Sequence, residues 1–299
     1  MVTRESSRRM DDLPTWSSQT DPRLVLCLRL VVAGMLIGLL WKISFFLVAD
    51  QLHFRIPIRD AFFPKWLQNA QVLRAAFLTS VIFLGTTLAT ASAKRRKICL
   101  PIALAANSVL LVHQGSYNDM TFVTVWWCNV WACWFAWRMS VDSSEALLRK
   151  SALVSRAILS LVLLGGAAGK WTQEYWSGEV FYEIYFRERD FWLFNLLRST
   201  SDTQSLRVIA TYYSQMVVLL ETIGGLTLWC LPRRMAAIVG ATVFSAIALM
   251  SNFWLFSVLG PLIGLSLVGL VGGPTSRSKA ASRSLRSVGP WRSVIHSSS

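Results

Sequence analysis

Charge, histidine and paired cysteine are all scarce in this chain, and each scarcity closes off a class of function. Only 15% of the 299 residues are charged and only 16 are acidic, whereas soluble domains carry about 25% charged residues. The three histidines, His53, His113 and His296, are too scattered to form a metal motif. The five cysteines, Cys27, Cys99, Cys128, Cys133 and Cys230, are odd in number, fall inside apolar runs and show no CxxC spacing. Neither a disulfide framework nor a zinc site is expected, and no metal is assigned. A glycine-rich phosphate loop, Ser-His-Asp spacing and HExxH are also missing.

What the chain has instead is apolar length. Hydrophobic residues make up 54%, tryptophan occurs 14 times, and the mean hydropathy is +0.45. This is a membrane composition. The formal charge of +14 does not indicate nucleic acid, because the basic residues stand in short clusters between apolar runs rather than on one soluble face. Membrane lipids are the expected partner, with a protein partner left open.

The expected fold is all-α, a polytopic membrane helix bundle of about eight transmembrane helices. Residues 1–23 read as a polar cytoplasmic tail, 24–272 as the transmembrane domain and 273–299 as a disordered basic cytoplasmic tail. The first apolar run, Leu24 to Val48, is 25 residues long and can cross roughly 30 Å of hydrocarbon with some tilt. Arg29 and Lys42 would snorkel towards its two ends. Gly34 and Gly38 form a GxxxG that permits close helix contact. Further helices are expected over about Val72–Ala93, Ile98–Val112, Thr121–Trp137, Ala157–Gly169, Val208–Leu231 and Met235–Met250, with the last ending near Gly272. An amphipathic surface helix is expected near Phe191–Leu197.

Charge orients these helices. Lys94-Arg95-Arg96-Lys97, the basic connection Arg138–Arg156 and Pro232-Arg233-Arg234 mark cytoplasmic turns, while the acidic residues collect on the opposite side. The first outer connection departs from the pattern, since it carries Arg55, Arg59 and Lys65. The expected location is the inner (plasma) membrane with both termini cytoplasmic.

Ionisable groups within spanning helices are expensive, about 2.5–3.5 kcal/mol at the helix centre, and are therefore functional candidates. Glu221 is the deepest, between Leu219, Leu220, Ile223 and Gly224. Lys170 ends a glycine-rich helix, and a lysine in a partly dry site can act as a base; the plainer alternative is a helix-end lysine that snorkels. Asn118, Asp119 and His113 lie on an outer turn on the same expected side as Lys170. Asp119 facing Lys170 would make either an acid-base pair or a structural ion pair. Tyr175 and Trp176 suit an interfacial anchor, and with His113 they are the residues to contact a cofactor held there.

Several short motifs resemble the HTTM family, the membrane domain of vitamin K-dependent gamma-carboxylase and its bacterial relatives, a group that extends to DoxX-like proteins. Gly166-Ala167-Ala168-Gly169-Lys170 followed by Trp176-Ser177-Gly178 is similar to the family's small-small-Lys and Trp-x-Gly segment. Leu220-Glu221 before Leu231-Pro232-Arg233-Arg234 resembles its "Glu, apolar run, Pro-Arg" helix. Ser251-Asn252-Phe253-Trp254-Leu255-Phe256 resembles a segment of lipase maturation factors. The resemblance implies a quinone as cofactor or substrate and Lys170 as the base. Asp119 stands where the family has histidine, and no large soluble domain follows the last helix. The function expected is a quinone- or lipid-linked membrane enzyme or redox component; the alternatives are a non-catalytic subunit or assembly factor, and then a small-molecule transporter.

Overall fold

The computed structural model describes residues 21–48, 63–117, 119–187, 190–250 and 253–271. The expected N-terminal tail up to residue 20, the C-terminal tail, most of the connection after the first helix, Asn118 and Ser251-Asn252 lie outside the described residues, and the end of the N-terminal tail, Pro22 and Arg23, is already helix.

Within them the chain is all-α. Eight helices of 18 to 28 residues follow one another: α1 Pro22–Trp41, α2 Ala70–Ala89, α3 Ala93–Val112, α4 Met120–Arg138, α5 Ser144–Ala168, α6 Thr203–Cys230, α7 Arg233–Met250 and α8 Phe253–Val271. Three of them, α1, α2 and α5, are long and apolar enough to cross a membrane by length and composition.

Local chemistry sets the helix ends and moves several of them from their expected positions. Asp21 accepts from Arg23 N ahead of Pro22, so α1 begins at a capped proline. It stops at Lys42 rather than running on to Val48; a short five-residue helix, Ile43–Leu47, follows the break. The basic cluster after α2 is not a loop: Ser92 accepts from Arg95 N, and Lys94 to Lys97 form the first turn of α3. Likewise most of the Arg138–Arg156 connection belongs to α5, which starts after Ser143 with Glu145 in its first turn. Asp202 accepts from Ser205 N and starts α6 five residues earlier than the hydropathy alone suggests.

α2 packs on α3, α3 on α4, α1 on α4, α5 on both α6 and α8, and α7 on both α6 and α8, with α1–α8 and α4–α8 contacts joining the two halves. The GxxxG of α1 is the close approach to α8. A Cβ on Gly34 would stand 2.6 Å from Ser257 O, and one on Gly38 would overlap Val258 Cγ2. Trp131, fully buried on α4, stacks on Phe135 at 4.5 Å and fills the centre.

A second, smaller cluster lies between α5 and α6. Phe181, Phe186, Phe194, Leu206 and Ala210 pack with Tyr175, Tyr185 and Tyr213. The amphipathic helix forms here, at Trp192–Thr200, with Phe194 inward and Trp192 and Leu196 outward. This aromatic cap holds the segment that follows Lys170.

Candidate functional site

Lys170 and Glu221 meet. α5 and α6 run side by side, kept close by Gly166 and Gly225, where added Cβ atoms would press on Glu221 and Leu164, while one on Gly224 would press on Val243 of α7. Ser160 Oγ donates to Gly225 O at 2.7 Å in the same seam. Lys170 follows the C-cap Gly169, and its Nζ donates to Glu221 Oε1. The lysine is 25% exposed and the glutamate 12%. The other carboxylate oxygen, Oε2, is buried and has no hydrogen-bond partner. It faces Gly166, where a Cβ would stand 3.3 Å away.

A cavity of about 50 Å³ adjoins this carboxylate, lined by Met120, Leu159, Val162, Leu163, Gly166, Phe244, Ile247 and Leu259 beside Glu221. The lining is apolar apart from Glu221. A carboxylate with one oxygen paired and one facing apolar space is an unsatisfied acceptor, and such groups ask for an explanation.

The segment after Lys170 is tied down by backbone acceptors. Trp171 Nε1 donates to Thr222 Oγ1 at 3.3 Å, and the Trp171 and Trp176 rings stack at 5.0 Å. Carbonyls of Tyr175, Trp176 and Ser177 accept from Ser214, Gln215 and Thr211 of α6. Gly178 then turns with φ +80°, a conformation that favours glycine, and a Cβ there would overlap the Thr211 backbone. Trp176 remains 38% exposed. Tyr175 is half-buried; burial pushes its phenol up, and the nearby Tyr185 and Glu221 add to the effect.

No protein-family model, no curated protein and no solved structure matches the chain.

The remaining candidates do not join Lys170. Asp119 does not face it: Asp119 Oδ2 accepts from Lys42 Nζ at 2.6 Å, and its Oδ1 accepts from Thr121 N at 2.8 Å, capping α4. The reason is positional. α4 begins beside the end of α1, which delivers Lys42, whereas Glu221 is supplied by the helix packed along α5. Two lysines thus take two carboxylates in separate pairs. Asn118 lies outside the described residues. His113 is fully buried rather than displayed on an outer turn. Its Nδ1 accepts from Gly115 N at 3.1 Å, which leaves Nε2 to donate to Asn69 O at 3.0 Å; the tautomer follows from these partners. Among the described residues, no group of three His, Cys, Asp or Glu side chains could hold a metal ion.

Sequence reasoning missed Lys42 as a partner and Trp171 as part of the site. Lys42 stands near the end of an apolar run, where snorkelling explains a lysine equally well. Only the fold reveals its carboxylate.

Proposed function

We propose that this chain is an eight-span protein of the inner membrane, of the HTTM type, in which Lys170 and Glu221 form a proton-exchanging pair that acts on a lipid-phase substrate. The observation that carries the reading is the half-satisfied Glu221 carboxylate, paired with Lys170 on one oxygen and bordering apolar space on the other. Transfer of one proton along the pair converts ammonium and carboxylate into amine and acid. The amine is then a base and the acid a donor, beside an apolar cavity.

Membrane insertion is supported by more than the three helices that are long and apolar enough to cross. Val208, Tyr212, Met216, Leu219, Ile223 and Trp229 recur at helical spacing along α6 and are exposed. Such a stripe is an aggregation liability in water and suits contact with lipid. With both termini cytoplasmic, the pair lies towards the outer end of α5.

A quinone is the substrate class that the family resemblance implies. The cavity does not hold a quinone ring: at about 50 Å³ it is far below the roughly 300–1,000 Å³ of ordinary ligand pockets. The proposal therefore rests on the ionisable pair and its apolar surroundings, with the substrate meeting it from the lipid side. A second reading, a non-catalytic subunit or assembly factor, is favoured by Asp119 and His113, whose polar atoms fasten helices and turns together.

The deciding experiment compares Lys170→Met, Glu221→Gln and the double variant Lys170→Met/Glu221→Leu. Removing one partner strands a buried charge, whereas an apolar pair of similar volume is often neutral for stability. The double variant is expected to accumulate in membranes and to lose saturable binding of a short-tailed menaquinone added to the purified protein. Unchanged menaquinone binding by the folded double variant sinks the catalytic reading and leaves the fastening one.

A further inference from the structure

The first turn of α3 places four consecutive cations, Lys94, Arg95, Arg96 and Lys97, where the free N–H groups and the helix dipole already present positive charge. No acidic residue stands in that turn. Lys94 and Arg95 are exposed, and Lys97 donates to Ser140 Oγ at 2.8 Å and lies 5.5 Å over the Trp137 ring. Arg96 turns inward and is only 4% exposed. Its Nη2 reaches back to Ala91 O at 3.3 Å, just before the N-cap, while Nη1 is buried with no partner.

The described carboxylates of that side do not compensate it. Asp142 holds Arg138 and Lys150, Asp21 caps α1, and Glu145 is exposed in the first turn of α5. Arg29 of α1 instead brings a second cation within electrostatic reach of Arg96. A buried guanidinium arm beside a helix N-terminus, with no partner and a second cation within electrostatic reach, leaves a charge uncompensated.

We infer that Arg96, Arg29 and the N-terminus of α3 bind the phosphate of an anionic phospholipid headgroup at the cytoplasmic side. The chemistry is general: guanidinium forks match phosphate oxygens, and helix N-termini favour anions. The surroundings select a lipid over a free ion. Arg29 is exposed between Leu26 and Leu30, themselves 57% and 51% exposed, so the site opens sideways onto an apolar wall that acyl chains would cover. Arg29 lies seven residues into α1, roughly 10 Å from its start, a depth suited to the headgroup boundary.

This inference rests on the membrane reading and not on the Lys170 chemistry. It is tested on the full chain in detergent, titrated with short-chain phosphatidylglycerol, phosphatidylcholine or inorganic phosphate, with native mass spectrometry and thermal unfolding as readouts. Phosphatidylglycerol is expected to be retained and to raise Tm, with binding about tenfold weaker in Arg96→Gln and in Arg29→Gln and unchanged in Lys94→Gln. Should Arg96→Gln fail to accumulate, the exposed Arg29→Gln decides. Equal retention of phosphatidylglycerol and phosphatidylcholine, or unaltered binding in Arg29→Gln, overturns the site; so does inorganic phosphate matching phosphatidylglycerol at the same concentration. A protein that inserts into membranes without lipid preference removes the site alone, whereas failure to partition into membranes removes the reading beneath it.

Discussion

Asp119 holds two partners from different parts of the fold, the ammonium of Lys42 at 2.6 Å and the backbone N–H of Thr121 at 2.8 Å. One oxygen ties the end of α1 to the start of α4, and the other begins α4. These two tasks can be separated by substitution.

Asp119→Asn keeps a capping oxygen and loses the charge; Asp119→Ala loses both. With both side chains about a quarter exposed, breaking the ion pair is expected to cost about 1–3 kcal/mol, between the surface and the buried ranges. The alanine variant should lose about 1 kcal/mol more, the worth of an N-cap. Thermal unfolding in one detergent measures the difference. Equal losses in the two variants would show that the cap contributes nothing.

Gly34 and Gly85 make a matched comparison. Both are helical, but a Cβ on Gly34 would press on the Ser257 carbonyl of α8, whereas nothing lies within 4 Å of one on Gly85. Gly85→Ala is expected to stabilise by about 0.4–1 kcal/mol through the unfolded chain. Gly34→Ala is expected to destabilise by about 1–3 kcal/mol through overpacking. The same sign for both, read from melting temperatures, would refute the close approach of α1 and α8.

Acid should loosen the turn between α4 and α5. The Arg138 hydrogen bonds, and then that from Lys150, hold the Asp142 carboxyl below the usual carboxylate range. Its folded value therefore lies below the unfolded value of about 3.9. The contribution is complete above that unfolded value and disappears as pH falls through the folded one. Asp142→Asn is expected to abolish this component. Unfolding curves recorded from pH 7 to pH 3 should then flatten relative to the wild type, and parallel curves would contradict the assignment.

How much of this was legible in the sequence depends on what each residue needs for its explanation. Apolar run length shows where helices lie, because burying backbone in an apolar medium demands internal hydrogen bonds. The GxxxG of α1 was readable as a contact surface, although not its partner. Helix ends were less legible: Ser92, Ser143 and Asp202 start their helices within polar stretches that hydropathy assigns to loops. Lys170 and Glu221 stood out separately, each an ionisable group where such groups are costly. Their union was hidden, since they stand 51 positions apart and Asp119 offered an equally plausible carboxylate. His113 misled for the opposite reason, because a polar turn that folds back on itself buries its own histidine.

The contact between Gly34 and Ser257 has a consequence for how the chain matures. α1 finds its closest neighbour in α8, far along the chain, so Gly34 stays uncovered until α8 is made. The aromatic cap is different: its members fall between Tyr175 and Val217, and it can close as soon as α6 emerges, through short-range contacts. Loss of α8 would therefore leave the aromatic cap closed while Gly34 faces an empty groove and the Glu221 cavity lacks its Leu259 wall.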